Sequence, residues 1–508
     1  MYSPTVGTIY VFNLIVGTGA LTLPKAMGAA GWLISTVLLC FLGFVSYITT
    51  TFVVETLSVA NACIRQKKTV DLDEDDTDAS SDVTNAAASN INENVRNRPN
   101  STSESTRLLD ESNNLTSYLT SNQSSLKNSA FEITQPVEMG EMADMFFNKV
   151  GRTLFYLCIA IYLYGDLAIY AAAVPKSLRD IVCQNMSCAS TNHTVPKDSD
   201  ICWGSTITRM DVYRIFLAIF TVVLGPFTYF DIQKTKYLQI FTTVCRWVAF
   251  IMMIVLAIVH MANKGSSGKP PLADLTGVPN LFGVSVYSFM CQHSLPSLVT
   301  PIRNKQHLSK ILAADYLLIL LFYSLLGFTA IFCFPGEMLK DIYTLNFQDS
   351  CYVTDVSFLR YFLGLFPVFT LSTNFPIIAV TLRNNLKALF KPTQSFLINR
   401  LLFPTMAILP PIIIAFITND LTTLVGVTGS YAGAGVQYVI PALLVYYARK
   451  EVSFSGFKTS PDRNQHRSPF SRKSWIFLVL AWSVICLVFV TTNHVLSWTT
   501  HKNGTHSG

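Results

Sequence analysis

Charge is what this chain has least of. Asp, Glu, Lys and Arg make up 13% of its 508 residues, against about 25% in an ordinary soluble domain. That deficit excludes a soluble globule, and it turns the net charge of +6 into a question of where the basic residues lie rather than a nucleic-acid signal. Its 11 cysteines include no CxxC pair and no Cys/His spacing suited to zinc, so no resident metal is expected. Nucleophile–base pairs and phosphate-binding loops are missing too, and an enzyme is not expected. Met1 to Gly7 lacks a basic n-region, so the first apolar run reads as a span rather than a leader.

What the chain has in abundance is apolar sequence: 50% of residues are hydrophobic and mean hydropathy is +0.39. A helix crossing the hydrocarbon core needs about 20 mainly apolar residues. Runs of that kind begin near Gly7, Trp32, Gly151, Val212, Tyr237, Val278, Ile311, Val356, Leu401, Leu424 and Trp475. The reading is an all-α polytopic membrane protein whose partner is the lipid bilayer. Transmembrane helices 1–2 fall in 7–59, helices 3–5 in 151–261, helices 6–10 in 278–447 and helix 11 in 474–498.

The connecting segments differ in kind. Residues 63–131 open on an acidic block around Asp71 to Asp78 and continue rich in Ser and Asn, the composition of a disordered loop. Residues 132–150 alternate apolar and acidic positions at helical spacing and read as an amphipathic surface segment. Residues 448–473 form a basic loop. With a cytosolic N-terminus, most loop Lys and Arg fall inside, among them Arg303, Lys305, Lys387, Arg449 and Arg472. The 63–131 and 448–473 loops are then cytosolic and the C-terminus lumenal or extracellular.

This orientation places Cys183, Cys188, Cys202 and Cys351 on the oxidising side as disulfide candidates, with pairing open. Glycosylation sequons at Asn185, Asn192 and Asn503 share that side, although Asn503 lies very close to a span. Sequons at Asn100, Asn114 and Asn122 fall in the cytosolic loop, where Ser/Asn-rich sequence creates them by chance. Glu104, Leu108 and Leu109 in that loop resemble an acidic dileucine sorting signal. A sorting adaptor and a lysosomal or endosomal membrane are the corresponding expectations, with the plasma membrane as the alternative.

Two spans are interrupted. The first carries Asn13-Leu-Ile-Val-Gly17-Thr18-Gly19-Ala-Leu-Thr-Leu-Pro24, and the sixth carries Phe289-Met-Cys291-Gln-His293-Ser-Leu-Pro296. Bare backbone at membrane depth persists only where protein buries it or it lines a cavity. Paired breaks at matching positions of two halves point to a midplane site and to inverted repeats, spans 1–5 and 6–10. Asp166 within the third span is costly there, so it either serves a cavity or pairs with Arg246 or Arg360. Glu55, near the far end of the second span, is expected to reach water. His293 either accepts a proton or satisfies freed backbone.

The Asn13–Pro24 and Phe289–Pro296 runs resemble the first- and sixth-helix signatures of the amino acid/auxin permease superfamily, and the glycine-rich run from Gly426 to Tyr431 is similar to its tenth helix. Further runs, Glu138 to Met142, Tyr164 to Ala168, Pro226 to Asp231 and Cys291 to Leu298, point to one branch of it. The resemblance implies eleven transmembrane helices in an inverted-repeat (5+5) transporter fold, with discontinuous helices 1 and 6 and one extra C-terminal helix. It implies secondary active transport of small amino acids or related zwitterions by alternating access, coupled to sodium or protons. Carried over, Asn13, Gly17, Thr18 and Gly19 hold the substrate and Phe289 and Cys291 line the facing wall. Ion or proton coupling falls to Asn13, Asp166, His293, Thr373 and Asn374. Asn374 stands where sodium-coupled relatives carry a hydroxyl, a departure that bears on the coupling ion. The alternative is a non-transporting sensor or scaffold that binds a ligand in the same pocket and signals through the cytosolic loop.

Overall fold

The computed structural model describes residues 3–90, 131–183, 197–230, 236–348, 353, 356–390, 398–454 and 464–504. The side chains of 4–5, 68–90, 236–239, 398–399, 454, 493–494 and 496–504 are outside that description. The sorting, glycosylation and disulfide candidates Glu104, Leu108, Leu109, Cys188, Cys351, Asn185 and Asn192 fall outside the described residues, as does the side chain of Asn503.

The chain is mostly helical. Helix α1 (Pro4–Ile15) begins with Pro at N1 and with the Ser3 hydroxyl accepting from the Val6 N–H, a start suited to proline's fixed φ. After Val16 and Gly17 the chain resumes as α2 (Thr18–Ala30), bent by 53° from α1. The other long elements are α3 (Trp32–Asn90), α5 (Lys149–Val182), α6 (Arg209–Leu224), α7 (Lys236–Lys264), α10 (Leu308–Cys333), α11 (Ser357–Phe390), α12 (Phe403–Ile417) and α15 (Lys473–Gly504). Short α4 (Met139–Phe146) precedes α5, and a two-stranded antiparallel hairpin, β1 (Ile201–Trp203) and β2 (Ile207–Thr208), precedes α6. Helices α8 (Val278–Ser288) and α9 (Leu295–Val299) flank a second break, and α13 (Leu421–Thr428) joins α14 (Ile440–Phe454) through two π-turns.

Among the described residues, eight helices are long and apolar enough to cross a membrane, or nine with α1 and α2 counted as one bent span. The expected spans six and ten are not among them, because α8–α9 and α13–α14 are divided into pieces of 11, 5, 8 and 15 residues. One boundary moves. The backbone of α3 stays helical to Asn90, well past Cys63, where a disordered loop was expected to begin. Extending an existing helix costs far less than nucleating one, so an acidic, Ala-containing segment can continue it.

Close backbone contact holds α8 against the α13 side of the bundle. A Cβ on Gly283 would lie 1.9 Å from the Gly426 carbonyl oxygen, and one on Gly429 would lie 1.9 Å from that of Gly283. Small residues are what allow helices to approach this closely in an apolar medium. Long α5 packs along α11 and also touches α6, α12 and α13, forming a scaffold beside the two broken helices.

Polar networks close both ends. At one end Asp341 takes ion pairs from Lys25 of α2 and Lys176 of α5 and a hydrogen bond from Thr422 of α13 at 3.2 Å. Beside it Asp180 accepts from Arg179 at 2.8 Å and from Arg209 at 2.6 Å, and a Cys183–Cys202 disulfide ties α5 to the hairpin. At the other end Glu55 is buried, not in reach of water as expected. The reason is its partner: Arg449 of α14 grips both carboxylate oxygens, at 2.8 and 2.6 Å, and the Ser468 N–H donates to it at 3.0 Å. Asn61 accepts there from the Thr134 and Gln135 N–H groups, each at 3.1 Å, which fastens the irregular segment before α4.

Burial alone would push the Asp341 carboxyl up, but Lys176 and Lys25 outweigh it and hold the group at about 2. A depressed carboxyl contributes stability above its unfolded value of about 3.9 and loses it only as pH falls through the folded value. Asp341→Asn should therefore destabilise the protein by about 3 kcal/mol, the low end for breaking a buried pair. In detergent melts the deficit should be equal at pH 7 and pH 5.

Candidate functional site

The site follows from a bookkeeping of backbone groups. A helix end leaves carbonyls and N–H groups without intrahelical partners, and in a membrane interior protein must supply them. At the end of α1, the Asn13 carbonyl accepts from the Arg246 guanidinium of α7. The Ile15 carbonyl accepts from the Gly17 N–H at 2.9 Å and lies 3.1 Å from the Tyr323 hydroxyl of α10. That hydroxyl also lies 2.8 Å from the carbonyl of Ser288, the last residue of α8. Tyr323, fully buried, thus bridges the two breaks. Across the second break, Gln292 accepts from the Cys291 N–H at 3.0 Å and donates to Thr49 at 3.1 Å and Thr50 at 3.3 Å of α3.

Between the breaks is a cavity of about 330 Å³. Its lining includes Asn13, Gly17, Thr18 and Gly19 from the first break, and Tyr287, Met290, His293 and Ser294 from the second. Tyr162, Asp166 and Tyr170 of α5, Thr242, Thr243 and Arg246 of α7 and Asn374 of α11 add further polar lining. The Tyr287 hydroxyl donates to Asp166. Asp166 therefore pairs with neither Arg246 nor Arg360: its partner is a phenol, while Arg246 reaches the α1 carbonyl. Both ionisable groups face the same cavity. The side-chain oxygen and nitrogen of Asn13, and Nδ1 of His293, are buried without a hydrogen-bond partner among the described residues.

Several residues chosen from sequence meet here, and some do not. Asn13, Gly17, Thr18, Gly19, Asp166, His293 and Asn374 all line the cavity. Phe289 and Cys291 do not. Phe289 packs edge-on to Tyr323 at 5.3 Å, and the Cys291 thiol lies 3.3 Å from the Tyr316 hydroxyl and 3.7 Å from that of Thr50. Both point into the α3–α10 interface, since the non-helical turn after Ser288 rotates their side chains away. The facing wall is formed by Tyr287 and Met290 instead. Thr373 also lies off the cavity, with its hydroxyl donating to the Thr370 carbonyl of its own helix at 3.0 Å.

Sequence reasoning missed Tyr323 as the bridge and Arg246 as a cavity residue. Arg246 carries a signal in the sequence, being a charge inside an apolar run, but that signal equally fits a partner for Asp166. Tyr323 carried none.

The two glycines of the first break differ in role. A Cβ on Gly17 would meet nothing closer than 4.0 Å, whereas one on Gly19 would lie 2.7 Å from the Ser288 Cα. Gly17 keeps backbone open to the cavity, and Gly19 lets α2 touch the end of α8.

The fold is that of a multi-pass helical membrane protein with a cavity between two broken helices, and comparison with known proteins gives the family. The chain belongs to the transmembrane amino acid transporter protein family, whose model matches residues 2–70 and 135–487. It is 54% identical over 508 residues to Transmembrane protein 104 of Homo sapiens, covering 98% of each chain. It is 42% identical to the Transmembrane protein 104 homolog of Drosophila melanogaster, with 97% of each covered, and 35% identical to that of Dictyostelium discoideum, with 98% of each covered.

Three substitutions test how the two breaks are held. Gly19→Ala should destabilise by about 1–3 kcal/mol, the usual cost of overpacking, whereas Gly17→Ala should stay within about 0.5 kcal/mol of the parent. Tyr323→Phe removes the hydroxyl shared by the Ser288 and Ile15 carbonyls, leaving Ile15 its bond from the Gly17 N–H, and should cost about 1–3 kcal/mol. Thermal melts of the purified protein read all three.

Proposed function

We propose that the protein is a secondary active transporter that moves small amino acids or related zwitterions by alternating access. The carrying observation is the cavity between two broken helices, whose lining includes opposite charges and unpartnered polar atoms. The first N–H groups of α2 make an anion site for the substrate carboxylate at Thr18 and Gly19. Asp166, held by Tyr287, receives the amine. Family membership supports the same reading.

On this reading α1–α2 and α8–α9 are the discontinuous helices of two inverted repeats, α13–α14 is one span, and the chain makes eleven crossings. The distribution of basic loop residues supports a cytosolic Glu55 end and a lumenal or extracellular Asp341 end, the latter carrying the Cys183–Cys202 disulfide. Asp166 and His293 are candidates for proton coupling. Asn13 and Asn374 are candidates for sodium coupling, although the Asn13 carbonyl already accepts a guanidinium.

The test is uptake by proteoliposomes of a labelled amino acid panel, with sodium and pH gradients imposed separately. Gradient-driven uptake of at least one amino acid is expected. Gly17→Leu should abolish it with the melting temperature preserved, because the added side chain enters the cavity rather than a packed interface. Saturable binding with no flux under either gradient would instead identify a sensor.

A further inference from the structure

Arg246 is a charge that lines the cavity and has no ionic partner among the described residues. Arginine stays protonated in any protein environment, and an intramembrane charge without a counter-ion is costly enough to be a functional site by default. Its guanidinium offers five N–H donors, and the bond it makes is to the neutral Asn13 carbonyl. Among the described residues no carboxylate lies within 4 Å of it. The cavity's carboxylate, Asp166, is engaged by the Tyr287 hydroxyl. A planar fork of donors facing a cavity is shaped to take a carboxylate two-pronged.

Resting on the transporter reading above, the substrate's own α-carboxylate and amine are already placed, on the α2 N-terminus and on Asp166. Arg246 is then a second anion site in the same chamber. We infer that the cavity selects amino acids carrying a second carboxylate, with Arg246 pairing the side-chain carboxylate of an acidic amino acid. At about 330 Å³ the chamber sits at the small end of the range usual for ligand pockets, suited to a molecule the size of glutamate or aspartate. Neutral isosteres would leave the guanidinium desolvated and unpaired, which is how a polar site rejects them.

Competition and variant uptake in proteoliposomes test this. Labelled glutamate uptake by the full-length protein should be inhibited by unlabelled glutamate and aspartate at concentrations about thirtyfold below those needed for glutamine or asparagine. Arg246→Gln keeps an amide donor for the Asn13 carbonyl and removes only the charge. It should lose glutamate uptake and turn the preference towards glutamine, while Arg246→Lys keeps a weaker acidic preference. Glutamine competing as well as glutamate, or Arg246→Gln lowering both substrates in proportion, would overturn the inference and leave the transporter reading standing. If no amino acid moves at all, the transporter reading fails, and thermal shift decides this point separately. A rise in melting temperature with glutamate but not glutamine, lost in Arg246→Gln, supports the acidic subsite, and no such rise overturns it. The competition arm uses the unmodified protein, so a variant that fails to fold does not remove the test.

Discussion

An unpartnered backbone group inside a membrane protein costs several kcal/mol, and the centre of this molecule is organised around meeting that cost twice. Tyr323 sits between the carbonyls of Ile15 and Ser288, one from each broken helix. Arg246 takes the Asn13 carbonyl, and Gln292 links the second break to α3. With carbonyls so accounted for, the breaks are fixed in position, and the space between them is a cavity of defined shape rather than a locally melted region. The chemistry of the site is a consequence of how the breaks are held.

The polar material is divided by depth. At the two ends, carboxylates meet arginines and lysines directly, as Asp341, Asp180 and Glu55 show. At the cavity, the carboxylate and the guanidinium are kept apart: Asp166 is given a phenol and Arg246 a carbonyl. Paired charges stabilise contacts between elements. Separated charges facing one chamber are available to something that enters it, which is why the chamber rather than either end carries the functional reading.

The same residue types therefore serve opposite purposes according to their neighbours. Gly17 and Gly19 are two positions apart, yet one exposes backbone and the other permits contact with Ser288. Cys291 and His293 are likewise two apart in a single turn, but the thiol is packed against α3 and α10 while the imidazole lines the cavity. In an irregular segment no fixed periodicity governs where successive side chains point, so spacing carries no information about which residue faces the chamber.

What the amino-acid order determined by itself was whatever depends on local composition. Low charge and long apolar runs specified a helical membrane protein, the Asn13–Pro24 and Phe289–Pro296 stretches marked two interrupted spans, and Asp166 announced itself as a charge where charges are expensive. Only the tertiary structure decided which of those signals converge. It turned Phe289 and Cys291 away from the cavity, brought Tyr323 from a distant helix to bridge both breaks, paired Glu55 with Arg449 and left Arg246 and Asp166 lining one cavity. Each of these is a contact between residues far apart in the chain. Such contacts depend on helix rotation and packing, which hydropathy constrains to a face but not to a partner.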